Sequence, residues 1–214
     1  PFFDIADKAT IEQLLGKNGV ANDTRIIVYG DKGGSTASRL FWTLLFYGAN
    51  VKFLDISYSK WTNLGYPVTT EVYSPNETTF IANENHDNFR VNNDYVLSKI
   101  KDPQTIILDT RSKEEYQGLI AAGPKAGRIP NSKNFPWEHA IGVDGNIFHT
   151  TEELSTIFDN YGLSQNKEII CYCQVGERAS HTFLALKICG YPDVKIYDKS
   201  FADWSNNSNM PIEI

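Results

Sequence analysis

Thiols and imidazoles are scarce in this sequence: 214 residues hold three cysteines, four histidines and one methionine. An odd trio of cysteines cannot build a disulfide framework. Cys171 and Cys173 stand as C-x-C, but a zinc centre needs further ligands at matched spacing and the histidines are scattered, so no metal is expected. Reduced thiols point to a cytosol-like compartment, and a cytoplasmic location is the expectation. A cationic surplus is missing too. Twenty-six acidic residues against 20 basic ones leave a net charge of −6, which argues against nucleic acid or an anionic membrane surface as partner. No apolar run approaches the ~20 residues of a membrane span. What is present, 41% hydrophobic and 13% aromatic residues, suffices to bury a real core. The length allows two domains of about 100 residues each. The chain opens on Pro1-Phe2-Phe3, and whatever precedes that, a targeting segment included, stays open.

The strongest internal signal is a repeat. "IIVYGDKGGSTASRLFWTLLFYG" lies over "IICYCQVGERASHTFLALKICG", with Asp31 on Cys173, Gly34 on Gly176, Ala37-Ser38 on Ala179-Ser180 and Gly48 on Gly190. That is a spacing of 142 residues (173 − 31). One inserted residue later, "VKFLDISYSKW" lies over "VKIYDKSFADW", matching Asp55 with Asp198, Ser57 with Ser200 and Trp61 with Trp204. Each copy reads as a buried β-branched strand (25–29, 168–172), a glycine-containing turn, a helix of small and apolar residues (35–47, 179–189), and a second strand (51–54, 194–197). Strand, helix and strand at that spacing predict a right-handed crossover in a parallel sheet. "QTIILDTRSKEEY" adds a buried strand at 106–109 and a helix start, and "TTEELSTIFDNYG" a helix capped by threonine.

The strand at 106–109 has no counterpart in the first copy, because subtracting the repeat spacing places it before residue 1. The expectation is therefore an α/β protein of two like domains, each a parallel sheet flanked by helices, the first incomplete in this chain and wanting an upstream segment to complete it. The expected boundaries are 1–67 for the inactive first domain, 68–103 for a linker rich in Asn, Thr and Glu, and 104–214 for the second domain.

A turn between a parallel strand's carboxyl end and a helix N-terminus is where open α/β sheets bind ligands, since its amides point outward and the helix dipole favours an anion. A cysteine placed there, as Cys173 is, should ionise more readily than a free thiol, with Arg178 assisting. Residues 174–178 (Gln174, Val175, Gly176, Glu177, Arg178) would supply inward amides.

"CQVGER" followed by "ASHTFLALKICGYPDVKIYDKSFADW" resembles the active-site loop and following elements of the tandem-domain rhodanese family, the thiosulfate and 3-mercaptopyruvate sulfurtransferases. "LDTRSKEEY" and "GRIPNSKNFPW" resemble two further motifs of that family, so the likeness covers nearly the whole chain. It implies two rhodanese-like domains and a double displacement without a cofactor. Cys173 would take a sulfane sulfur as a persulfide and pass it to a small thiophilic acceptor, cyanide or a thiol. Arg111, Arg178 and Trp137 become candidate substrate contacts, although Arg111 in this pattern more often ties its loop down, and Trp137 and His139 could equally be packing. Arg128, Asn131 and Glu115 depart from the family, standing where histidine, glycine and, in some members, a donor-binding arginine are usual. The charged loop leans to thiosulfate as donor over mercaptopyruvate. Other classes remain: a cysteine phosphatase or arsenate reductase, whose loop places arginine after five intervening residues where this one has four, and a non-catalytic sulfur carrier or interaction module.

Overall fold

A computed structural model describes residues 4–84 and 89–214, and the portion of the expected linker at 85–88 lies outside them. The first copy contains α1 (Lys8–Lys17), β1 (Ile26–Val28), a 3-10 turn over 32–34, α2 (Ser35–Phe46), β2 (Val51–Phe53) and α3 (Tyr58–Asn63). The second contains β3 (Arg90–Val91), α4 (Asn93–Lys99), β4 (Thr105–Asp109), α5 (Lys113–Tyr116), β5 (Lys133–Asn134), α6 (Thr151–Asn160), β6 (Glu168–Tyr172), α7 (Glu177–Ile188), β7 (Val194–Tyr197) and α8 (Ser200–Asn206). All strand pairings are parallel: β1 beside β2 in one sheet, and β3-β7-β6-β4-β5 in the other. The architecture is α/β, two parallel sheets flanked by helices. β6 and β7 are buried almost throughout, which is why they read as continuous apolar runs and not as alternating ones. Among the described residues no helix is long and apolar enough to cross a membrane.

The stretch read as a linker splits in two. Residues 66–84 have no regular secondary structure but are tacked onto the first copy: Thr78 N–H donates to the Gly16 carbonyl (2.9 Å), Asn83 N–H to that of Tyr47 (3.1 Å), and Phe80 and Ala82 are buried. Residues 90–103 do not behave as a linker. They form β3 on the edge of the second sheet and α4 over its outer face, where Val96 is fully buried. Two-residue strands leave almost no pattern, so polar composition concealed them.

One core runs through both copies. Val28, Trp42 and Val51 of the first join Leu108, Phe135, Phe183 and Ile196 of the second in a single cluster. The seam is α2 against α7, with Phe89 bridging between Trp42 and Phe183 (ring centroids 6.1 and 5.7 Å). Because α7 packs on its own sheet on one side and on α2 on the other, Ala179 to Leu186 are buried on every face, and the helix has little amphipathic signature. A second cluster covers the outer face of the second sheet, burying Ile170 and Tyr172 completely beneath Val96, Ile129, Phe201 and Met210. At the same strand positions of the first sheet, Ile27 and Tyr29 are each 58% exposed.

Candidate functional site

β6 delivers Cys173 to the seam. Alternation along the strand turns Ile170 and Tyr172 to the outer cluster and Cys171 and Cys173 to the shared core, so both thiols lie on one face as their spacing requires. Both are fully buried. The backbone of Cys173 is held on each side: its N–H donates to Ser200 Oγ (3.2 Å), and its carbonyl accepts from Phe201 N–H (3.0 Å). Ser200 has φ of 55°, an uncommon value for a residue with a side chain, and its hydroxyl donates to the Tyr197 carbonyl (2.8 Å). The strain is met by those two bonds and places α8 against the turn.

Beyond Cys173 the chain turns through Gln174 and Val175 to Gly176, whose φ of 86° caps α7. The Gly176 N–H points back and donates to Cys173 Sγ (3.1 Å). Gly176 also needs hydrogen for a side chain on spatial grounds. A Cβ there would lie 2.7 Å from the Asp198 carbonyl oxygen and 2.8 Å from Arg39 Nη1. The sulfur thus sits at the start of a 12-residue helix, under an amide aimed at it.

Charged groups surround this turn in pairs. Arg178 donates through both ends of its fork to Glu115 (2.6 and 2.9 Å). Burial works against the Arg178 cation, but Glu115 and the neighbouring Cys173 sulfur outweigh it and hold its pKa above the ordinary value. Burial likewise works to raise Glu115, and Arg178 overrides it, leaving that carboxyl below the usual range. Glu177 Oε1 accepts from the Ser35 and Thr36 hydroxyls of the first copy (2.8 Å each), so the N-termini of α2 and α7 meet across one carboxylate. Arg39, also from the first copy, reaches Asp198 (2.5 Å). Gln174 Nε2 contacts the Ala122 carbonyl at 3.5 Å while its Oε1 is buried without a partner. Cys171 is pushed far above the usual thiol range by burial and by Cys173 beside it.

Two candidates from the sequence lie elsewhere. Arg111 is buried and turned inward, its fork on Asp109 (2.6 to 3.1 Å) and the Gly127 carbonyl (2.8 Å), its plane 4.1 Å from the Phe201 ring. Tyr172 OH also donates to Asp109 (2.6 Å), so Arg111 belongs to the clamp that fixes the β4 loop. Trp137 packs edge-on to His181 (5.0 Å) and against Gly33 of the first copy's turn. His139 accompanies Tyr161 and Phe135. Of the departures from the family motifs, Arg128 pairs with Glu213 and lies 4.6 Å from the Tyr116 ring, and Asn131 adopts φ of 60°, the left-handed conformation that asparagine tolerates in place of glycine.

The first copy's turn is one residue longer than the second's. Counted back from the helix caps Gly34 and Gly176, Asp31 matches Cys173, as the sequence repeat suggests. Counted forward along the strands, where Ile26 pairs with Val51 as Ile169 pairs with Val194, the match is Gly30. Backbone bonding agrees with the strands: Tyr58 N–H donates to the Gly30 carbonyl (3.0 Å) as Phe201 N–H does to that of Cys173. Asp31 instead swings out to accept from Ser59 N–H (3.3 Å) and Oγ (3.1 Å). The turn itself is filled, since Gly33 and Gly34 lie against Trp137, Ile141 and Ile147 of the second copy.

His181 and Arg39 escaped the sequence reading, although the repeat pairs them at its 142-residue spacing (181 − 39). Each projects from its helix toward the other copy's turn, so only the assembled seam gives them meaning. His181 is fully buried, stacked on Phe148 (4.4 Å), near the Ile147 and Gly33 carbonyls but without a well-formed hydrogen bond. Burial drives its pKa down to about 3.

The rhodanese-like domain model matches residues 2–64 and 92–207. Among curated proteins, "Sulfur carrier protein TtuD" of Thermus thermophilus is 34% identical over 222 residues, covering 98% of this chain and 78% of its own. A Mycobacterium bovis protein provisionally named a thiosulfate sulfurtransferase is 33% identical over 221 residues, covering 99% and 79%. An anaerobic ergothioneine biosynthesis enzyme from Chlorobium limicola, solved with trimethyl histidine, shares the fold at TM-score 0.87 and 22% identity, over 99% of this chain and 56% of that one. Wild-type EanB superposes at TM-score 0.88 with 21% identity, over 99% and 55%, so this chain spans little more than half of either solved chain. With the domain model met twice and relatives at this identity over nearly the whole chain, the protein belongs to the rhodanese-like domain family.

Proposed function

We propose that the chain is a sulfurtransferase that moves a sulfane sulfur from thiosulfate to a thiophilic acceptor through a persulfide on Cys173, with the first copy taking no chemical part. The observation that carries this reading is the Gly176 N–H aimed at Cys173 Sγ from 3.1 Å, at the start of α7. In the first step the thiolate attacks the outer sulfur of thiosulfate; the Cys173 S–S bond forms as the donor's S–S bond breaks, and sulfite leaves with the electron pair. In the second, cyanide or a thiolate attacks the outer sulfur, giving thiocyanate or an organic persulfide and regenerating the Cys173 thiolate. Neither step needs a cofactor, and ping-pong kinetics follow. Amides of the turn would hold the persulfide anion as an oxyanion hole holds oxygen. Reduced thiols suit a cytoplasmic setting.

Thiocyanate production from cyanide, followed separately with thiosulfate and with 3-mercaptopyruvate, tests the donor. Thiosulfate is expected to support turnover and Cys173→Ser to abolish it. Turnover with mercaptopyruvate alone would replace the donor, and full activity in Cys173→Ser would sink the mechanism. A second reading, a sulfur carrier that holds the persulfide for a partner, draws on the name of the Thermus relative. It predicts about 32 Da, one sulfur atom, on Cys173 after thiosulfate, with no thiocyanate turnover. The phosphatase alternative is disfavoured because both ends of the Arg178 fork are occupied by Glu115.

A further inference from the structure

The turn that holds the nucleophile is not built from the second copy alone. The face of Gly176 on which a side chain would stand is covered by two groups: the Asp198 carbonyl, from the loop after β7, and the Arg39 guanidinium, from α2 of the first copy. Arg39 is not loosely placed. Its Nη2 lies 2.5 Å from Asp198 Oδ1, its guanidinium stands 5.1 Å from the Trp42 ring, and Asp198 is itself buried and held from its other side by Arg90 (2.9 and 3.0 Å).

We propose that Arg39 is a positioning residue for the Cys173 thiolate, lent to the active turn by the catalytically silent copy. The inference rests on the reading of Cys173 as nucleophile. Two physical effects support it. Because Gly176 has no side chain, the guanidinium and the Asp198 carbonyl close together on one face of it and confine the residue whose N–H meets the sulfur. Its positive charge, shared with the Asp198 carboxylate 2.5 Å away, also stands beside the N-terminal cap of α7. Of the charged and titratable groups around the turn, Cys171 on its own strand and Arg178 on α7 act directly on Cys173, while Glu115 on α5 pairs with Arg178, Glu177 on α7 meets Ser35 and Thr36, and Asp198 after β7 pairs with Arg39 on α2. Arg178, forked on Glu115, also acts directly on the Cys173 sulfur, whereas Arg39, paired with Asp198, reaches the site through Gly176, the residue whose amide donates to that sulfur.

The test compares Arg39→Gln and Arg39→Lys with the unmodified chain, reading the pH–rate profile of Cys173 carbamidomethylation by iodoacetamide (peptide mass spectrometry) alongside kcat and KM for thiosulfate. Arg39→Gln is expected to move the profile to higher pH by about one unit, a roughly tenfold slower reaction at neutral pH, and to lower kcat more than it raises KM. Arg39→Lys, which keeps the charge and loses the planar fork, should recover part of both. A folded Arg39→Gln with an unmoved profile overturns the proposal. So does equal loss of turnover in both variants without any movement of the profile, the mark of a merely structural contact. Should Arg39→Gln not fold, Arg39→Lys decides alone: an upward shift supports the proposal and an unmoved profile overturns it. If the profile responds to Arg39 while the unmodified protein transfers no sulfur, the positioning role stands and the sulfurtransferase reading falls.

Discussion

Cys171 and Cys173 are two residues apart, equally buried and on the same strand face, yet only one has an amide aimed at its sulfur. Cys171 is kept protonated by burial and by its neighbour, and Cys189 lies at the far end of α7, with its thiol near the Thr151 carbonyl. Cys171→Ala and Cys189→Ser are therefore expected to keep most of the transfer activity that Cys173→Ser loses; comparable losses in all three would contradict a single nucleophile. His181 makes a different residue-scale prediction. Its folded pKa of about 3 lies below the ordinary value of 6.5, so the unfolded chain binds a proton that the folded one refuses. Stability from this site is complete above pH ~6.5 and declines as pH falls from there toward ~3, by up to ~1.4 kcal/mol per pH unit. His181→Leu should flatten the fall in denaturation midpoint between pH 6.5 and pH 4, and a slope unchanged by the substitution would show that acid sensitivity resides elsewhere.

At the scale of elements, the repeat made strands, helices and turns legible because both copies obey the same β-α-β pattern, and it made the cysteine turn legible because glycine, cation and helix start recur at one place. It did not make legible the point where the insertion falls. One-dimensional matching favoured Asp31 over Cys173, since the helix halves are the longer match, whereas strand pairing counts from the other side and gives Gly30. This bears on any attempt to revive the first copy. Asp31→Cys would place a thiol near Ser59 and away from the turn's amides, and a Cβ on Gly30 would lie 2.8 Å from that of Ala37. Asp31→Cys in a Cys173→Ser background is therefore expected to give no thiocyanate above the Cys173→Ser level, and measurable turnover there would mean that the helix-side count governs the chemistry. β3 and α4 were illegible for another reason: two residues of strand carry no period, and Asn92 capping α4 through Tyr95 N–H (2.9 Å) looks like one more polar residue in a polar stretch.

For the molecule as a whole, the two sheets differ in how they are finished. In the second, Ile169 N–H bonds toward the β7 side while alternate amides face β4. In the first, Ile26 N–H bonds toward the β2 side (2.9 Å), and among the described residues no strand lies along the other edge of β1. Amide exchange is therefore expected to be faster at Ile27 than at Ile170 by on the order of a hundredfold or more in this chain, and equal protection would show that the open edge is covered in solution. The shared core sets a second expectation, at odds with two domains that stand alone. Residues 89–214 without the first copy would uncover Phe183, Leu184 and the seam face of α7, and that fragment should melt earlier than the whole chain or aggregate. A fragment as stable as the parent would mean that the seam is only a contact between finished domains.

Duplication is ordinarily thought to release one copy from constraint, and the meeting of α2 and α7 at Glu177 shows why that release is partial here. The first copy carries no cysteine, but the inner face of its helix is also part of the second copy's interior. Mutational tolerance should follow that geometry and not the division into copies with and without a cysteine. A saturation scan for folded protein is expected to find Asp31, exposed on the first turn, more tolerant of substitution, while Ser35 and Trp42, facing the other copy or the core it shares, are as restricted as their opposite numbers on α7. The first copy can drift in its chemistry. It cannot drift in its shape.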